Sequence, residues 1–68
     1  MFSLSEVTGK MYDPEECVFF RNAKQSASYM LWGATLIDIF ADSSKQLVFV
    51  FTKDDHAKYR ERWNSYRD

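Results

Sequence analysis

Three consecutive runs decide the fold: Thr35-Leu36-Ile37-Asp38-Ile39-Phe40, Asp42-Ser43-Ser44-Lys45 and Leu47-Val48-Phe49-Val50-Phe51. The first is β-branched and long enough for a strand, the second is polar and turn-like, and the third is a continuous apolar strand. Together they predict a β-hairpin with a four- or five-residue loop. Leu47, Phe49 and Phe51 point to one face of the last strand, Val48 and Val50 to the other. An antiparallel strand with one wet face alternates polar and apolar residues. This one does not, so both faces need a cover. Two helices can cover one face. The other falls to the N-terminal arm, to a second copy of the chain or to a different protein, and a homodimer through Val48 and Val50 is the favoured arrangement.

Downstream of the hairpin, Thr52 reads as a helix N-cap, with Asp54 and Asp55 in the first turn. The helix is expected from about residue 53 to Tyr66, with His56, Tyr59, Trp63 and Tyr66 on one stripe. Upstream, Asn22 reads as another N-cap, with Gln25 three residues later in the pattern of a capping box. That helix is expected over residues 23–32, with Ala23, Ala27, Met30, Leu31 and Ala34 as its buried stripe and Gly33 ending it in a left-handed conformation. Glu16-Cys17-Val18-Phe19-Phe20 is a short strand candidate. Before it, Phe2 and Leu4 alternate with Ser3 and Ser5, and Thr8-Gly9-Lys10 and Asp13-Pro14 read as turns. The order is β-α-β-β-α: an α+β domain over residues 15–68, an antiparallel sheet with two helices. Residues 1–14 form an arm or extra strand lying over it.

The whole chain has 68 residues, enough for one domain. A core this small supplies only about 3–5 kcal/mol, so aromatic burial or association must help. Aromatics make up 18% of the residues, which excludes a disordered charged tail. No apolar run approaches the roughly 20 residues that cross a bilayer, and no signal-peptide pattern opens the chain. The net charge of −1 argues against nucleic acid as the default partner.

Few residues carry recognisable chemistry. A single cysteine excludes a disulfide framework and any cysteine-based zinc site. Cys17 and His56, with Asp38 or Asp55 behind them, form the one conceivable nucleophile–base set; an inert buried cysteine is the favoured reading. Gly9 and Gly33 are too far apart for a phosphate-binding loop. No metal and no cofactor is expected, and the chain reads as non-enzymatic. The last helix interleaves Arg60, Arg62 and Arg67 with Tyr59, Trp63 and Tyr66, a combination that binds single-stranded nucleic acid by stacking and phosphate contact. Residues 53–68 nonetheless hold five basic groups against four acidic ones, a weak magnet for phosphate.

Asn22-x-x-Gln25-x-x-x-Tyr29, then Gly33, Leu36, Asp38-Ile39, Leu47-Val48-Phe49-Val50-Phe51-x-Lys53 and Trp63 resemble a family of short proteins of bacteriophages and Firmicute bacteria, a domain of unknown function. The resemblance covers about two thirds of the chain. It implies a phage or mobile-element origin and a cytoplasmic setting in a bacterial host, and it brings no catalytic residues. A small protein of that kind acts by occupying a surface. The expectation is therefore binding, with inhibition or modulation of a bacterial host protein, a defence-system component included. The alternative is a nucleic-acid-binding regulator that uses the last helix. Tyr29, Trp32, Arg60, Tyr66 and Arg67 are the expected anchors, being aromatics and arginines of the kinds that dominate interface hot spots.

Overall fold

The structure is a computed structural model and describes residues 2–66. The elements run β1 (Ser3–Leu4), β2 (Met11–Tyr12), a 3₁₀ turn (Pro14–Glu16), β3 (Cys17–Phe20), α1 (Ala23–Leu31), β4 (Asp38–Ala41), β5 (Leu47–Thr52) and α2 (Lys53–Tyr66). The α+β class and the β-α-β-β-α core are as expected. β5 lies in the centre of a three-stranded antiparallel sheet in the order β3-β5-β4. The register places Phe49 opposite Phe20 and Ile39, and Val50 opposite Phe19 and Asp38. The β4–β5 loop closes on Asp42, whose Oδ1 accepts from Ser44 and Gln46. Its Oδ2 accepts from Arg21 Nε at 2.9 Å, and these bonds hold the carboxyl well below its ordinary pKa.

Both helices start where their caps require. Asn22 Oδ1 accepts from the Gln25 amide, and Thr52 Oγ1 accepts from the Asp55 amide. The Gln25 side chain does not return to Asn22; it reaches Tyr29 instead. α1 ends in a Schellman arrangement: Gly33 donates to the Met30 carbonyl and Ala34 to that of Tyr29, with Gly33 at φ +117°.

The face that α1 buries is not the one its hydropathy suggests. Of the five residues expected inside, only Ala34 is buried; Ala23, Ala27, Met30 and Leu31 are exposed. Ser26 and Tyr29 face the sheet instead. Tyr29 is completely buried, with Phe20, Phe51, His56 and Tyr59 around its ring at centroid distances of 5.4–6.0 Å. An aromatic ring buries more area than Met or Leu. Its hydroxyl is satisfied by His56, and the Ser26 hydroxyl by the Asn22 carbonyl, so the polar atoms do not oppose the choice. Trp63, Phe49, Phe51 and Ala34 complete this core.

The second face of the sheet is covered from within the chain. Val48 and Val50 are 2% and 0% exposed, so they form no free dimer face, and the argument they gave for a homodimer falls away. The β1–β2 hairpin supplies the cover and is tied to Asp38, on the Val50 side of β4. The Glu6 amide donates to Asp38 Oδ1 and the Tyr12 hydroxyl to Oδ2, both at 3.0 Å. The Ser5 hydroxyl donates to the Ile37 carbonyl and accepts from the amides of Val7 and Thr8, shaping the hairpin turn. Residues 35–37 are correspondingly not sheet strand: Thr35 donates to Asp55, and the β4 ladder begins at Asp38.

Candidate partner-binding surface

The end of α1 meets the second half of α2 in an aromatic cluster. Trp32 caps α1, and the turn at Gly33 leaves the indole against α2. A side chain at Gly33 would place its Cβ 3.0 Å from the Tyr59 hydroxyl, so the close approach of turn and helix depends on glycine. The Trp32 ring lies 6.2 Å from that of Tyr59 and 6.1 Å from that of Tyr66, the latter edge-on at 89°. The Arg62 guanidinium sits 4.4 Å from the centre of the Trp32 ring, a cation–π contact. Tyr66 also packs on buried Trp63 at 5.9 Å while remaining 60% exposed. Thus Trp32, half-buried, is braced from three sides, and Arg62 and Tyr66 present their polar ends to solvent.

Of the five expected anchors, Trp32 and Tyr66 meet in this cluster. Tyr29 is core and not an exposed anchor: it is completely buried, and its ring lies 6.2 Å from that of Trp32. Arg60 is exposed, but it lies on the His56 side of α2, one helical turn beyond that residue. Arg67 lies outside the described residues. The cation beside Trp32 is Arg62, which the choice of anchors passed over. Its spacing of three from Tyr59 and four to Tyr66 was the available signal. Of the aromatics on α2, Trp63 is buried and Tyr59 half-buried, so Tyr66 is the exposed ring of that stripe.

Cys17 and His56 are on opposite faces of the sheet. Cys17 pairs with Thr52 in register, on the Val50 side, and its thiol is pushed up by burial and then by Asp13 and Glu16. His56 lies on the helix side, where Nδ1 is 3.0 Å from the Tyr29 hydroxyl. Burial, and secondarily Arg60, lowers its pKa, which favours the neutral ring. The two residues form no nucleophile–base pair. No pocket opens among the described residues, and no helix among them is long and apolar enough to cross a membrane.

Comparison with known proteins gives no matching family model, no matching curated protein and no matching solved structure.

Proposed function

We propose that the chain is a non-enzymatic binding protein whose Trp32–Arg62–Tyr66 surface occupies a site on another protein. The observation that carries this is the Arg62 guanidinium held 4.4 Å above a Trp32 ring that Tyr66 also braces. Trp, Tyr and Arg are the residue types most often found at binding hot spots. Here they are fixed before binding, which lowers the entropy cost of ordering them against a partner. No pocket opens among the described residues, which suits a protein face rather than a small molecule. The resemblance to phage and Firmicute proteins makes a bacterial host protein the partner class. Occlusion of that partner's working surface is the mode of inhibition or modulation, and a defence component is one such target.

The test is a pull-down from bacterial lysate with and without nuclease, repeated with Arg62→Glu and Tyr66→Ala. Arg62→Glu gives up a cation–π contact worth about 0.5–1 kcal/mol and Tyr66→Ala two aromatic contacts of about 0.5–1.5 kcal/mol each, so a thermal melt accompanies each variant to show that it is folded. The expected result is one dominant protein, retained after nuclease and lost with either variant. Retention in both variants rejects this surface. Loss of every partner on nuclease treatment transfers the function to nucleic-acid binding by the last helix.

A further inference from the structure

Two cations lie over aromatic rings at the partner-binding surface. The Lys58 ammonium sits 5.6 Å from the centre of the Tyr59 ring, and the Arg62 guanidinium 4.4 Å from the centre of the Trp32 ring. The two rings are themselves 6.2 Å apart. Lys58 and Arg62 are both exposed and four residues apart on α2, so they share one face of the helix, with Cβ atoms about 6 Å from each other. Like charges at that spacing repel and weaken a helix. Carboxylates are near in sequence, Asp54 four residues before Lys58 and Glu61 three after it. Neither cation pairs with one; the ion pair among the described residues is Arg21 with Asp42.

The geometry points to an acidic segment of the partner protein as the occupant of this surface, with two carboxylates about one helical turn apart that meet Lys58 and Arg62. This inference rests on the partner-binding reading and adds the chemistry of what is bound. Charge complementarity carries it. Each ring attracts the cation above it and excludes water from that side. The remaining donors point away from the ring, and a carboxylate arriving there is screened less than at an open lysine. Arg62 offers a planar fork that a carboxylate fits in a bidentate pair, and Lys58 adds a point charge. Nucleic acid fits less well. Lys53, Lys58, Arg60 and Arg62 are offset on α2 by Asp54, Asp55 and Glu61, whereas phosphate binding draws its affinity from many cations along a backbone. Arg62, Tyr59 and Tyr66 also surround Trp32, which leaves less of its face for a base to stack on.

The probe is an alanine-based helical peptide with two glutamates four residues apart and a leucine beside them. Its control carries glutamine at both positions. Proton–nitrogen NMR of the full chain follows the titration. The glutamate peptide should shift the Arg62 Nε–H, the Trp32 indole N–H and the Tyr66 amide to saturation, and the glutamine peptide should not. Lys58→Gln and Arg62→Gln should each weaken binding about two- to fivefold, with a thermal melt to show that each is folded. Lys58→Glu should prefer a peptide in which one glutamate is replaced by lysine, an exchange of charge that lost packing does not produce. Equal shifts with the glutamine peptide overturn the proposal, as do the absence of any shift at millimolar peptide and an unchanged affinity in the Lys58 variants. Tighter binding of a short oligothymidylate at the same signals also overturns it and assigns the surface to phosphate. The lysate pull-down repeated with Lys58→Glu separates the two readings. A protein retained by Lys58→Glu but lost with Tyr66→Ala leaves the partner-binding surface standing and rejects the acidic segment.

Discussion

The hydroxyl of Tyr12 donates to Oδ2 of Asp38 at 3.0 Å, linking residues 26 positions apart. Asp38 is buried, and its other oxygen accepts from the amides of Glu6 and Ile39. The carboxylate is thus the peg on which the N-terminal hairpin hangs. Asp38→Ala removes it and leaves the Tyr12 hydroxyl and the Glu6 amide without partners. The expected cost is about 2–4 kcal/mol, a large part of the roughly 3–10 kcal/mol available to a chain of this length. Urea denaturation measures the loss. Amide exchange at Val48 and Val50 should rise as well, because the hairpin that covers them lifts; unchanged protection there would contradict the assigned cover.

The same pair sets an alkaline limit. Burial, then the hydrogen bond and charge of Asp38, push the Tyr12 phenol up to about 12. In the unfolded chain it ionises near its ordinary value of about 10. The folded state therefore holds a proton that the unfolded state releases between these values. The contribution of Tyr12 is fully present below pH 10 or so and is lost as the pH climbs toward 12. Denaturation midpoints across this range should fall more steeply in the wild type than in Tyr12→Phe. Parallel curves would show that the phenol is not perturbed.

What the sequence disclosed and what it hid divide along the range of the interactions. Asn22, Gly33 and Thr52 act on neighbours within a few residues, and each bounds its helix as the residue types imply. The bare β5 strand correctly demanded two covers, but not which segment supplies the second. That depends on Ser5 and Asp38, whose partners lie 32 residues away and carry no local signature. The facing of α1 was hidden for a related reason. Met30 and Leu31 outrank Tyr29 in hydropathy, yet the site that receives Tyr29 is built by Phe20, Phe51 and His56 from three other elements. The surface cluster was half legible: Trp32 and Tyr66 were in view, while Arg62 required knowing on which side of α2 the indole lands.

Tyr29 as a core residue makes a graded prediction. Tyr29→Phe keeps the ring and removes the hydroxyl's bonds to His56 and Gln25, at a cost of about 1–2 kcal/mol. Tyr29→Ala empties the centre of the core and should cost about 3–5 kcal/mol. Thermal denaturation of the two variants distinguishes this from an anchor role, in which both would melt like the wild type and differ only in partner binding.

His56 makes an acid-side prediction. Its folded pKa is lowered by burial first and by the Arg60 charge second, while the unfolded ring titrates near 6.5. The stability it contributes is complete above that value and is lost as the pH falls through the folded pKa, because the unfolded state takes up the proton first. Removing the neighbouring charge with Arg60→Gln should move the His56 titration upward, read by proton NMR of the imidazole, without disturbing the Tyr29 contact. An unmoved titration would assign the whole effect to burial.

The turn between α1 and β4 offers the sharpest single substitution. Gly33 has φ +117°, a conformation that side-chain-bearing residues rarely adopt, and an added Cβ would approach the Tyr59 hydroxyl to 3.0 Å. Gly33→Ala meets both obstacles at once. Backbone strain of this kind costs about 1–3 kcal/mol, and relief by moving Tyr59 displaces a ring that packs on both Tyr29 and Trp32. The variant should melt lower than the wild type. Its indole fluorescence should also shift, since Trp32 loses its bracing on that side while Trp63 stays buried. Pairing Gly33→Ala with Tyr59→Phe removes the clashing oxygen but not the backbone strain. The double variant should recover only part of the lost stability, and full recovery would show that the turn tolerates a side chain at this φ.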